Sequence, residues 1–209
     1  MFYKSILNVV GVVVSVAAVM LVGCGGDDNP AGGGGKGSDI NNYKTVVIGT
    51  QRWMAENLDN AIAGSVCYDS LSSNCAKYGR LYTWDAAMKA CPVGWHLPSD
   101  DEWRTLTDYV RGDSLTEGRK LKSTSGWDDN GNGTDDYGFS ALPGGYWEIQ
   151  YDSFNNEGEQ GYWWSSTDYD RGVGQYARNR RLSCRTERVD WDVNNSRVGN
   201  MNSVRCVED

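Results

Sequence analysis

Residues 83–106, TWDAAMKACPVGWHLPSDDEWRTL, hold two helix-forming segments together with the signals that stop and start them. Trp84, Ala87, Met88 and Cys91 fall at i, i+3, i+4 and i+7, which is one face of a helix. Pro92 ends that helix, because it lacks an N–H and clashes with the preceding turn. Ser99 with Glu102 three residues on is a capping box, so a second helix opens there. Trp103, Leu106 and Val110 form its buried stripe. After Gly112 the helical period disappears, and Gly and turn residues become dense. Short aromatic strands are expected at residues 137–142, 145–150, 162–167, 173–183 and 203–207. A first strand is expected at residues 43–49, which are rich in β-branched side chains. One strand, two short helices and a loop-rich β half describe an α+β chain, not a βαβ repeat.

The N-terminal 23 residues have a different character. Lys4 is their one charged side chain, and residues 6–22 are an apolar run broken by Asn8, Gly11 and Ser15. The run ends at Leu21-Val22-Gly23-Cys24, which resembles a bacterial lipobox rather than a bare small-x-small cleavage site. Residues 1–23 are therefore expected to be a lipoprotein signal peptide, with Cys24 lipidated and tethering the chain to a membrane; the alternative is an uncleaved transmembrane anchor, for which the run is near the lower length limit. Residues 24–41 are the lipidated Cys and a Gly-rich linker. About 14 glycine-rich residues reach roughly 20 Å as a random coil. Asp27-Asp28 resembles the acidic export tags of some Bacteroidetes-type surface lipoproteins. The cell envelope is the expected location, at the outer membrane, facing either the exterior or the periplasm.

Loss of Lys4 with the leader takes the formal net charge from −8 to −9. An acidic chain with one His and no basic cluster argues against nucleic acid as a partner. Five cysteines follow Cys24, an odd number that leaves at least one free or paired between chains. Cys67 and Cys75 read as a small loop closed by its own disulfide, as an exported location permits.

Three groups of residues are candidates for chemistry. Asp128, Asn130, Asn132 and Asp136 follow the front half of a calcium loop, with Gly133 for the turn. The twelfth position is Phe139 and supplies no bidentate carboxylate, so calcium would need a further ligand; the alternative is a polar turn. Trp163 and Trp164 are neighbours on an expected strand and point to opposite faces. One is expected in the core. The other, with Trp147, Tyr151, Tyr169 and Trp191, would line an aromatic surface suited to glycans, the alternative being core packing. His96 precedes Leu97-Pro98 in a turn and is the single His, which removes multi-His metal sites and His-based triads from consideration. Asp100/Asp101 and Asp135/Asp136 adjoin caps and turns, the solvated use of paired acids. Arg178, Arg180, Arg181, Arg185 and Arg188 mix with Glu187 and Asp190 as strand surface.

Residues 83–91, TWDAAMKAC, and residues 204–207, VRCV, resemble the helix and C-terminal strand of the C-type-lectin-like fold. Residues 97–103, LPSDDEW, are similar to a block of its formylglycine-generating-enzyme branch. Six ordered blocks resemble the Fibrobacter succinogenes major paralogous domain: QRWMAENL at 51–58, YGRLYTW at 78–84, CPVGWHLPS at 91–99, YGFSALPGG at 137–145, YWWSST at 162–167 and SVRCV at 203–207. The likeness covers residue 43 to the end, within an expected domain of residues 42–209.

The resemblance implies a disulfide-stapled C-type-lectin-like fold with Cys91 bonded to Cys206. Such a bond encloses about 115 residues and is worth roughly 4–5 kcal/mol on the chain-entropy model. Cys184 has no counterpart and is either a small buried hydrophobe or a competitor for Cys206. The calcium-and-sugar signatures of true lectins are absent. The formylglycine-generating enzymes use a cysteine pair, and Cys184 is the single spare here, so that activity does not transfer. The expectation is a non-catalytic binding domain for a glycan or an envelope protein, the alternatives being such an enzyme or a purely structural envelope protein.

Overall fold

The computed structural model describes residues 43–170, 175–196 and 199–209. The leader, Cys24 and the Gly-rich linker lie outside the described residues. The chain runs β1 (Thr45–Ile48), β2 (Gln51–Met54), β3 (Ser65–Val66), α1 (Ser72–Tyr78), β4 (Leu81–Tyr82), α2 (Trp84–Ala90), β5 (Trp95–His96), α3 (Asp100–Arg111) and α4 (Glu117–Leu121). The second half is β6 (Gly144–Glu148), β7 (Ser153–Glu157), β8 (Gln160–Asp170), β9 (Gln175–Ser183), β10 (Asp190–Ser196), β11 (Asn200–Ser203) and β12 (Val207–Glu208). The architecture is α+β.

A small sheet has the order β1-β2-β12-β5. The larger sheet runs β10-β9-β8-β6-β11-β4-β3, with β7 paired to β6. Pairing is antiparallel except where β8 meets β6 (Gly145 opposite Gly161) and β11 (Ser203 opposite Trp163). Because side chains alternate along a strand, β8 divides the core. Trp163 joins Trp103, Leu106, Val110 and Trp53 under α3. Trp164 joins Ala86, Ala87, Ala90, Tyr82 and Val204 under α2.

The helices form where the caps place them, with two additions. Ser99 Oγ accepts from Glu102 N while the Glu102 carboxylate accepts from Ser99 N at 2.7 Å, so the capping box is formed. In α2 the buried face is Ala86, Ala87 and Ala90, and Met88 is exposed. Small residues let the helix sit close on Trp164, and the expected Met88 stripe is rotated outward. α1 begins inside the Cys67–Cys75 segment expected to be a loop and runs on to Tyr78, and α4 lies beyond Gly112, where no helix was expected. Both are one or two turns long, too short for a hydrophobic period to declare itself. Residues 137–142 form no strand, only a bridge from Ala141 to Lys122. The 203–207 segment is split between β11 and β12.

Arg205 lies in that split and ties the parts together. Its side chain is 1% exposed, and among the described residues its hydrogen bonds go to one amide and two backbone carbonyls. Asn57 Oδ1 accepts from Arg205 Nη2 at 2.7 Å and Nε at 3.1 Å, and from Trp163 Nε1 at 2.8 Å. Arg205 Nη1 donates to the carbonyls of Met54 and Phe139, and the guanidinium sits 4.4 Å from the Phe139 ring centre. Asn57 Nδ2 donates to Tyr78 O at 2.8 Å. Burial pulls the Arg205 guanidinium down to about 9, against Glu56 and Asp135, which favour its charged form. Replacing Asn57 with Ala would leave Arg205 Nε and Nη2 without their acceptor, while Nη1 keeps the Met54 and Phe139 carbonyls. Losing hydrogen bonds to a buried charged group costs about 1.5–3 kcal/mol. Urea unfolding of Asn57→Ala should show that loss; a drop below about 1 kcal/mol, the ordinary value of one hydrogen bond, would mean the guanidinium finds other acceptors.

Candidate functional site

Both expected disulfides are formed, Cys67–Cys75 and Cys91–Cys206, and Cys184 is free and buried. Cys67–Cys75 anchors α1 beside the segment Glu56–Asp59. Between them lies a cavity of about 230 Å³ lined by Glu56, Asn57, Asp59, Lys77 and Tyr78, with Cys75 in its wall. Its lining thus includes the same Asn57 that holds Arg205. Asp59 lies 4.0 Å from Arg80 Nε, and the Glu56 carboxylate accepts from Lys44 N at 3.0 Å. The lining is rich in hydrogen-bonding groups. Glu56 lies within the QRWMAENL block and Asp59 just after it, and nothing local in the sequence marks either as a cavity wall.

The Asp128–Asp136 segment is packed against the body of the domain. A Cβ on Gly131 would collide with the backbone of Cys184, and one on Gly133 with the carbonyl of Lys122. These glycines serve close approach, not only the bend that a calcium loop requires. Asn132 Oδ1 accepts from Trp127 N at 3.0 Å, and Asp135 takes both Ser140 N and Ser140 Oγ. Asp128, Asn130 and Asp136 point toward solvent-exposed positions. Among the described residues no group of three or more His, Cys, Asp or Glu side chains comes together to hold a metal.

The aromatic surface expected from Trp147, Trp163, Trp164 and Trp191 is corrected by burial. Trp163 is 1% exposed and Trp164 0%, because β8 is covered on both faces. Trp147 stacks on Phe154 at 5.6 Å and is half-buried. Trp191 is half-buried beneath two cations, with Arg180 3.7 Å and Arg104 5.1 Å from the ring centre. Tyr151 and Tyr109 are the large exposed aromatics, and Tyr109 was not foreseen.

Two readings of charged residues are also corrected. Asp100 is not a solvated cap acid: it is buried and ion-paired with Arg178 at 3.0 Å and with Arg180. Arg180 is not strand surface but sits under α3, and burial lowers its pKa despite Asp100. Arg185 and Arg188 are exposed as expected. His96 has the structural role expected of it. Its Nε2 lies 2.7 Å from Glu102 and its Nδ1 2.7 Å from Asp209, so it joins β5, the α3 capping box and the segment after β12.

With the geometry in place, one comparison decides the family. The model of the Fibrobacter succinogenes major domain matches residues 46–208. The chain belongs to that family. No curated protein and no solved structure matches it. The Fibrobacter major domain thus spans β1 to β12, and both disulfides, the Asn57–Arg205 network and the cavity all fall within it.

The His96 contacts give the domain a pH dependence whose sign is fixed by the shifts. Burial works to lower the His96 pKa, but hydrogen bonds to Asp209 and Glu102 outweigh it and the net shift is upward from 6.5. A raised folded pKa contributes stability that is whole below the unfolded value and lost as pH rises through the folded value. Glu102 is depressed overall: burial raises it, while Ser99 and His96 lower it more. Its contribution is present above the unfolded value near 4.5 and is lost as pH falls through the depressed one. Thermal melting should therefore decline as pH rises from 6.5 through the His96 value, and His96→Gln should flatten that decline. An unchanged slope in His96→Gln would refute the assignment.

Proposed function

We propose that this Fibrobacter major domain is the head of an exported, lipid-anchored envelope protein and acts as a non-catalytic binding module. Its partner is a glycan or another envelope protein, and its fold is of the C-type-lectin-like type. The cavity carries the binding reading: it is concave, lined by hydrogen-bonding side chains, and has one wall fixed by the Cys67–Cys75 bond. Support for the fold type comes from β12, which joins β2 and brings the two ends of the domain together, and from Cys91–Cys206. Support for export comes from two disulfides, which persist in oxidising compartments, and from the apolar run ahead of Cys24. Among the described residues no helix is long and apolar enough to cross a membrane; the anchor we propose is the lipid on Cys24, at the end of the apolar run 6–22. An enzyme of the formylglycine-generating type would need a reduced partner for Cys184, which is the one free cysteine described.

Two measurements test this reading. Cells expressing the full chain should incorporate a radiolabelled fatty acid into it, and Cys24→Ala should abolish incorporation; labelling of the variant would refute the lipoprotein assignment. The purified full chain should be retained by at least one glycan on an array or one insoluble polysaccharide. Uniform negatives would remove the glycan arm and leave the protein-partner arm to cross-linking in intact envelopes.

A further inference from the structure

The cavity beside α1 has a charge pattern that narrows what it can hold. Its ionisable side chains are Glu56, Asp59, Lys77 and Tyr78. Two acids therefore face one base, and the rim adds more acid. The Glu157 carboxylate lies 3.9 Å from Lys77 Nζ. Tyr78 feels Glu157 and Asp128 together: burial first, then the hydrogen bond and charge of Glu157 and the charge of Asp128, push its hydroxyl up.

The two cations at this place are held differently. Arg80 is tied to the disulfide that anchors α1. Its Nη1 donates to the sulfurs of Cys67 and Cys75 at 3.5 and 3.6 Å, and its Nε lies 4.0 Å from Asp59. Lys77 is on a looser tether, since its side chain is 57% exposed and its pair with Glu157 is long. Its ammonium stands 4.4 Å from the centre of the Tyr78 ring. The mouth of the cavity therefore already receives one primary ammonium, between an aromatic face and a carboxylate.

We propose that the cavity binds a glycan residue carrying a free primary ammonium, an amino sugar that is not acetylated, with Lys77 as the internal competitor at its mouth. Carboxylates are acceptors alone, so Glu56 and Asp59 suit both the ammonium and the hydroxyls of such a ring. The apolar face of the ring would lie on Tyr78 and Leu142. A neutral sugar would cover Glu56 and Asp59 without adding a counter-charge, and burying a carboxylate is costly unless it is paired. A volume of about 230 Å³ suits one sugar residue of a chain, not a length of it. The formal charge of −8 favours a cationic glycan at longer range. The inference rests on the binding function proposed above and names the ligand class for the same cavity.

The test uses the full chain in detergent with immobilised β-1,4-linked tetramers of glucosamine, N-acetylglucosamine and glucose, which differ at one substituent of each ring. The glucosamine tetramer should be bound and the other two should not. Glu56→Gln and Asp59→Asn should each weaken that binding about tenfold, the loss of one hydrogen bond to a charged group, while melting close to the wild type. Lys77→Gln should strengthen it about threefold, the scale of one exposed ion pair. Asp101→Asn removes an exposed acid on α3 and should leave it unchanged. Equal weakening by Asp101→Asn would mean diffuse attraction to an acidic surface and would overturn the site. Equal binding of the three tetramers, still weakened by Glu56→Gln and Asp59→Asn, would overturn the ammonium assignment and leave the cavity as the binding site. Binding of none of them would overturn the inference, and capture of a lysine-bearing peptide instead would still uphold the protein-partner arm of the function.

Discussion

A buried guanidinium cannot be left without acceptors, and Arg205 meets this constraint with one amide and two carbonyls. Asn57 Oδ1 takes two of its N–H groups and also the Trp163 indole N–H. Four separate stretches are thereby fixed: the end of β2 through Met54, the 57 segment, the Phe139 turn and the centre of β8. The hydrogen-bond acceptors are neutral and the carboxylates of Glu56 and Asp135 act on the charge electrostatically, so the network depends on the placement of its hydrogen bonds. The cavity lining and the packing of the tryptophan core both inherit that geometry.

Around this centre the remaining restraints are spread along the chain. Cys91–Cys206 fixes the end of α2 to the residue after Arg205. His96 holds Glu102 on one side and Asp209 on the other. Asp100, at the start of α3, reaches across to Arg178 and Arg180 on β9. Each joins residues far apart in sequence, and each lies near the boundary between the small and large sheets. The helices are short and supply little stability of their own; their positions follow from the contacts at their ends.

The sequence made some of this legible for physical reasons. A capping box is a local device, so Ser99 and Glu102 revealed the start of α3 directly. The six family blocks carried both the domain and its cysteine pairing. Long-range roles were hidden. Arg180 lies between Asn179 and Arg181, and mixed charge reads as solvated strand; period-two alternation alone would have marked Arg178 and Arg180 as sharing a face. Asp100 looked like one more acid in a capped first turn, because nothing local announces a partner 80 residues away. Trp163 and Trp164 were split correctly between faces, but the second covering layer on β8 comes from α2, whose alanines reveal closeness only once the helix is docked.

The small sheet has one further consequence. Its order places β12 between β2 and β5, so a two-residue strand completes a layer begun more than 150 residues earlier. β5 meets β2 through it alone. Without residues 205–208, β1–β2 and β5 have no common neighbour, and neither Arg205 nor Cys206 is present to lock the core. The pairing that closes the small sheet is therefore non-local, the kind that loop-closure entropy makes slow to form.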